Sequence, residues 1–366
     1  MIASSYKGKK VLITGHTGFK GTWLTTWLLK LGSRVCGISD VIPSQPSMFE
    51  KLELADKVEH HFCDIRDQKR VEDIVSSFCP DFVFHLAAQA IVSRSYEEPI
   101  ETITTNVVGT AVVLEVLRKI EHACTAVIIT SDKCYENVEW EWGYRETDHL
   151  GGKDIYSGSK GAAEIIFHSY FHSFLKNKSN LKIASARAGN VIGGGDWAKD
   201  RIVADCVRNW SRGIPVDIRS PEATRPWQHV LEPLSGYLTL GVVCQTQPEL
   251  NGESFNFGPK SEQNRRVLDL LGDLSRYWRF DSLESACRVS GNVPFHEAGL
   301  LKLNCDKALF HLKWEPNLHY GECVRFVSEW YYKYYNDNVD MFEFTLGQIE
   351  EYTQRASERG MVWVKE

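Results

Sequence analysis

No Cys-x-x-Cys pair and no cysteine–histidine spacing suited to a metal occurs among the ten cysteines. That excludes a zinc module or a dithiol redox motif, and the thiols read as reduced and mostly buried. An excess of positive charge is also missing. Lys and Arg total 42 against 48 for Asp and Glu, a formal net charge of -6, which disfavours a nucleic-acid partner whose phosphates would demand a basic surplus. The opening MIASSYKGKK passes into VLITG without an apolar signal core. No later run reads as long enough to cross a bilayer, so the expectation is a cytoplasmic protein with no membrane partner. Repeats and low-complexity tracts are absent as well. What is present is ordinary globular composition: 366 residues, 43% hydrophobic and 25% charged, enough for a full core and two unequal domains.

The first half alternates β-rich runs with helical patterns. Val11–Thr14, Arg34–Ser39, Val58–Ile65, Phe82–Ala87, Ala126–Ser131 and Lys182–Ala186 read as buried strands. Between them, Thr22–Leu31 ends at Gly32, Gln68–Phe78 stops before Pro80, and Pro99–Ile120 starts with proline in its first turn. Strands alternating with crossover helices predict an α/β fold, a doubly wound, Rossmann-like parallel sheet. After about Gly189 the texture changes to turn-formers and aromatics, as in GNVIGGGDW and RPWQH. We therefore expect a cofactor domain over residues 1–188 and a smaller, mainly substrate-binding domain over 189–366, with some segments returning to the first. ECVRFVSEWYYKYY, from Glu322, reads as an amphipathic helix.

Gly15, Gly18 and Gly21 lie between the first strand and first helix, where a pyrophosphate approaches backbone N–H groups and a helix N-terminus. Thr17, Phe19 and Lys20 complete that candidate cofactor loop. A tight strand-to-helix turn is the plainer alternative. Asp40 follows the second strand; a carboxylate there accepts from a ribose 2′-hydroxyl and disfavours a 2′-phosphate, pointing to NAD over NADP. It could equally open a polar loop before Pro43. Asp64 and Ile65, with Leu86, Ala87 and Ala88, sit at strand ends suited to the adenine and nicotinamide sides, although the alanines also suit a core.

Tyr156-Ser-Gly-Ser-Lys160 opens a helix whose Ala163, Phe167, Tyr170 and Phe174 are expected to face the core. Spacing of four stacks Tyr156 and Lys160 on one side. A neighbouring ammonium favours the phenolate, so Tyr156 is a candidate base. Fixed cations for a diphosphate are available in Arg187, Arg201, Arg219 and Arg225.

These motifs, TGHTGFKG, HLAAQ, TNVVGT, TSDKCY, YSGSK and RAGNV, stand in the order found in the extended short-chain dehydrogenase/reductase family, which the chain resembles over nearly its whole length. The long segments GHTGFKGTWL, RAGNVIGGGDWAKDRI and RPWQHVLEPLSGY are most similar to its NAD-dependent sugar-nucleotide dehydratases, those acting on CDP-glucose in particular. The resemblance implies that Ser131, Asp132 and Lys133 distinguish a dehydratase from an epimerase, with Asp132 as acid and Lys133 as base; many relatives carry Glu at the second of those positions. It places Asn190, Trp197, Asp200 and Arg201 around the base, with stacking on cytosine and packing of the loop as the two readings of Trp197. Arg225, Trp227 and His229 are placed towards the diphosphate and ribose, and Gln89, Arg94 and Tyr96 towards the hexose. Ser93 stands where the family pattern has a basic residue. Also implied are a homo-oligomer, dimer or tetramer, and a place in deoxysugar or surface-polysaccharide synthesis. A sugar-nucleotide epimerase, a dehydratase of another nucleoside-diphosphate hexose and a non-catalytic NAD sensor are the alternatives.

Overall fold

A computed structural model describes residues 1–260, 263–278, 280–289 and 300–365. Seven strands form the main sheet: β1 Lys10–Thr14, β2 Arg34–Ser39, β3 Glu59–Phe62, β4 Phe82–His85, β5 Cys124–Ile129, β6 Leu181–Ala188 and β7 Ser254–Phe257. Their order is β7-β6-β5-β4-β1-β2-β3, every neighbouring pair parallel. Such a sheet is covered on both faces, which explains why the inner strands β1, β4, β5 and β6 are buried along nearly their whole length instead of alternating, while the edge strand β3, Glu-His-His-Phe, is not. Val11 and Ile13 point into one core while Leu12 points into the other, and Val127 and Ile129 separate from Ala126 and Ile128 in the same way.

Local chemistry places the helix ends. Asp67 accepts from the backbone N–H of Arg70 to open Gln68–Phe78, and Cys79 closes it in a left-handed conformation before Pro80. Asp154 caps Ile155–Tyr170 by accepting from Ser157 N at 2.9 Å and Ser157 Oγ at 2.7 Å. This helix departs from the expected core face: Phe174 is 55% exposed, whereas Phe171 and Leu175 are buried. A π-helical turn over Phe171–Leu175 shifts the phase, since wider turns rotate later side chains away from a 3.6-residue stripe.

Pro99–Lys119 also contains a π turn, Thr104–Val108. It corrects the expectation that no apolar stretch is long enough to span a bilayer: by length and composition this helix is, with 44% of its apolar window buried. Here it packs against Gln68–Phe78 and Ile155–Tyr170 as a crossover helix.

Beyond β6 the chain crosses back and forth. Leu231–Thr246 is buried nearly all round and lies on β5 and β6, and β7 extends the sheet beside β6. Short paired strands, Val191–Ile192 with Gln228–His229 and Thr224–Pro226 with Asn264–Arg266, fasten the intervening segments.

Candidate functional site

The glycine loop emerges from the carboxyl end of β1, the side on which parallel sheets bind ligands. Gly15 has φ +76°, and a Cβ there would meet the Ala87 nitrogen at 2.7 Å; at Gly21 a Cβ would strike the Gly15 oxygen at 2.1 Å. Only hydrogen fits at either position. Gly18 is the N-cap of Phe19–Lys30, and no side chain caps that terminus, leaving its first N–H groups for an anion. Thr17 ties the loop to the end of β2, donating from Oγ1 to the Val41 carbonyl at 2.7 Å and from N to Ser39 Oγ at 3.3 Å. That brings Asp40 beside the loop. Ala87 donates to Thr14 Oγ1 at 3.2 Å, holding the segment with Leu86 and Ala88 across β1. Asp64 is clasped by Arg66, Nη2 to Oδ2 at 2.6 Å, which keeps its carboxyl below the ordinary range. Buried Ile65 fills the space left by Gly109. The uncapped terminus and the two glycines with no room for a Cβ fit a dinucleotide pyrophosphate.

Ser131 caps a short turn, Asp132–Cys134, directly after β5, its Oγ accepting from Lys133 N at 3.2 Å and donating to Asp132 Oδ1 at 3.0 Å. Asp132 is 4% exposed. Burial raises its carboxyl pKa, against the pull of Lys133, Ser131 and Lys20. On the facing helix, Lys160 Nζ lies 6.0 Å from the centre of the Tyr156 ring. Burial pushes Lys160 down to about 8, while Cys134 and Glu164 oppose the shift. Tyr156 differs from the expectation of a phenol lowered by its lysine: burial raises it, and Arg201 and a hydrogen bond with Ser131 act to lower it. Lys20 is likewise pushed down to about 8 by burial and by Arg201, with Asp132 opposing. Ser131, Asp132, Tyr156, Lys160, Lys20 and Arg201 are therefore one electrostatic cluster at the carboxyl ends of β1 and β5.

The segments beyond β6 bear out less. Trp197 is 2% exposed and packed among Trp330, Tyr331 and Tyr334, its indole donating to Tyr335 Oη at 3.0 Å. It has no free face for cytosine. His229 is wholly buried between Trp23 and Phe326, and Trp227 is 4% exposed, donating to the Arg265 carbonyl. Arg187 is no diphosphate cation: it is 1% exposed and paired with Glu164 at 2.8 Å. Gln89 is also committed, giving its amide to Thr102 Oγ1 at 2.8 Å and accepting from Ile91 N at 2.6 Å. Partners within the protein take up Trp197, Trp227, Arg187 and Gln89, and His229 is held by its packing and by Leu231 N, which donates to its Nδ1 at 3.3 Å.

Other expected residues fall near the site. Asp200 accepts from Ser93 Oγ at 2.8 Å and pairs with Arg219 at 3.4 Å. Arg201 reaches the Ala90 carbonyl at 3.4 Å, so the segment after β4 and the segment after β6 meet across the mouth. Asn190 and Arg225 are partly exposed, and Arg94 lies outside, paired with Glu98. Asn106 was missed: it accepts from Gln89 N and donates to Ser159 Oγ at 2.8 Å, joining the π turn to the Tyr156 helix. Its signal was the one amide side chain in the helix, within the TNVVGT motif. Glu164 was missed too, a carboxylate one turn beyond Lys160 in a buried stripe.

A family model described as GDP-mannose 4,6 dehydratase matches residues 12–248. A CDP-glucose 4,6-dehydratase of Salmonella typhimurium is 43% identical over 95% of this chain and 97% of its own. Among solved structures, an epimerase, Mth375, of Methanothermobacter thermautotrophicus covers 91% of this chain and 94% of its own at TM-score 0.78 and 23% identity. A dTDP-glucose 4,6-dehydratase of Bacillus anthracis, solved with NAD, covers 92% and 100% at TM-score 0.74 and 19% identity. Likenesses this distant speak to the fold; the family model and the Salmonella relative reach further, and the chain belongs to the GDP-mannose 4,6 dehydratase family.

Proposed function

We propose that this protein is an NAD-dependent dehydratase converting CDP-glucose to CDP-4-dehydro-6-deoxyglucose and water. The carrying observation is the buried Asp132 carboxyl, held toward its protonated form beside Tyr156 and Lys160. An epimerase needs a base at O4 only; a dehydratase needs a further acid for the departing hydroxyl. The Gly15–Gly21 loop, Asp40, Asp64, Ile65 and the Leu86–Ala88 segment would hold NAD, which when bound would supply hydride acceptance at C4 and hydride return at C6.

The chain's residues manage the protons. Tyr156 takes the O4 proton, aided by the Lys160 ammonium and the Ser131 hydroxyl. The C4 ketone then acidifies the C5 proton, which Lys133 removes. Asp132 protonates the C6 hydroxyl as it leaves, so loss of water makes an alkene conjugated with the ketone. Lys133 would return a proton to C5 when the alkene takes at C6 the hydride that bound NAD would supply.

Residues 1–188 serve chiefly as the NAD domain and 189–366 chiefly as the sugar-nucleotide domain in this reading. Arg201, Arg219, Arg225 and Asn190 remain the candidates for the nucleotide. Identity over nearly the full length of the Salmonella dehydratase favours CDP-glucose over other hexoses. A homo-oligomer is part of the proposal, since Ile100, Val108 and Ile165 stand exposed on adjoining helices.

The test supplies CDP-glucose deuterated at C4 in ordinary water and locates the label by NMR. Deuterium in a C6 methyl group is the expected result. Deuterium at C4 of an unchanged or epimerised hexose would overturn the dehydratase.

A further inference from the structure

The Ser131–Lys133 turn and the Tyr156–Lys160 helix come from separate parts of the chain, yet the chemistry needs them in register; a misplacement of about 1 Å slows a reaction on the order of a hundredfold. One buried charged network lies between them. Glu164, four residues beyond Lys160, is wholly buried. Its carboxylate accepts from the hydroxyl of Thr130, the residue entering the turn, from Ser185 Oγ at 3.0 Å and from Arg187 Nη2 at 2.8 Å. Arg187 donates through Nη1 to Tyr135 Oη at 2.7 Å, and Tyr135 is the residue leaving the turn.

Both ends of the turn are therefore fastened to the helix through Glu164 and Arg187. Packing is equally close, because a Cβ at Gly161 would stand 3.2 Å from the Cys134 carbonyl oxygen. Burial opposes charge on Glu164, but Arg187, Thr130 and Ser185 outweigh it and hold the carboxyl below its ordinary range. A buried ion pair is a poor source of net stability, since desolvation offsets the attraction. Its directional bonds, from a planar guanidinium and a hydroxyl, are well suited to fixing a spacing.

Resting on the dehydratase reading, we propose that Glu164 is a positioning residue: through Thr130 and Arg187 it sets the spacing between the Ser131–Asp132–Lys133 turn and the Tyr156 phenol. The same carboxylate opposes proton loss from Lys160, one turn away. It touches no reacting atom in this scheme and acts only through its neighbours.

Thr130→Val is the decisive variant. It deletes one link to Glu164, keeps the ion pair and preserves the backbone bond from Thr130 N to the Ala186 carbonyl at 2.9 Å. In the NAD-loaded full chain assayed with CDP-glucose, kcat should fall about tenfold with KM and bound NAD within about twofold of wild type. Thr130→Ser should restore kcat. Glu164→Gln should slow turnover further in whatever fraction folds. An active wild type with an unaltered Thr130→Val kcat overturns the positioning role alone. Loss expressed wholly in KM or NAD content overturns it as well. A wild type that does not turn over CDP-glucose takes down the functional reading, and this proposal with it.

Discussion

The parallel-sheet half and the irregular stretch from Gly189 to Val230 carry similar densities of family motifs, yet the structure treats them differently. In the sheet half, chemistry rides on backbone features: a positive φ at Gly15, an uncapped helix start at Gly18, a turn capped by Ser131. In the stretch after β6, the aromatic side chains expected to meet substrate, Trp197, Trp227 and His229, are buried in the core, and cations such as Arg201 and Arg225 are left to face it. Where backbone geometry makes the site, local sequence reveals it. Where side chains reach through space, their partners decide, and those partners lie far along the chain.

The sharpest way to break this comparison is at Tyr156. Tyr156→Phe removes one oxygen and keeps the ring, so folding should persist while reduction of bound NAD on adding CDP-glucose slows by about 10²- to 10⁴-fold. Stopped-flow absorbance of the reduced nicotinamide is the measurement. Wild-type reduction rates would make the motif a structural one and erase the contrast between the two regions.

Trp197 tests the other side. As a core residue packed on Trp330 and Tyr334, Trp197→Ala should cost about 3–5 kcal/mol, read as a lower denaturation midpoint. Its folded fraction should bind CDP as wild type does. A variant of normal stability and weakened CDP affinity would return Trp197 to the substrate side.

The parallel sheet and several helix ends were legible because period and punctuation are local: Pro99 opening a helix, Gly32 and Pro80 ending others, apolar runs marking strands covered on both faces. Phe174 went wrong because a π turn is set by packing and leaves no mark in a 3.6-residue pattern. Arg187 was misread because its type suits phosphate; only the fold brings Glu164 and Tyr135 within bonding distance. Gln89 failed for the same reason, its amide spent on Thr102 and Ile91.

The smallest expected effect lies at Glu232, where the second half closes over the first. Glu232 is 1% exposed and accepts from Asn317 N at 2.8 Å, Leu318 N at 2.5 Å and Tyr352 Oη at 2.9 Å, clamping the C-terminal segments onto Leu231–Thr246. Burial pushes its carboxyl up to about 7, against the pull of those donors and of Arg359. In the unfolded chain the group loses its proton near 4.5. Between those values the folded state binds the extra proton, so this contribution to stability is complete below 4.5, falls as pH rises and levels off above about 7. Thermal midpoints measured from pH 5 to pH 8 should therefore decline by about a few degrees in the wild type. Glu232→Gln carries no charge anywhere in that range and keeps an acceptor oxygen. It should lose about 1 kcal/mol at pH 5, and subtracting its profile from the wild type isolates the Glu232 component. A difference that grows with pH would mean that the three donors hold Glu232 as an anion, and that the C-terminal clamp is built around a charge instead of a proton.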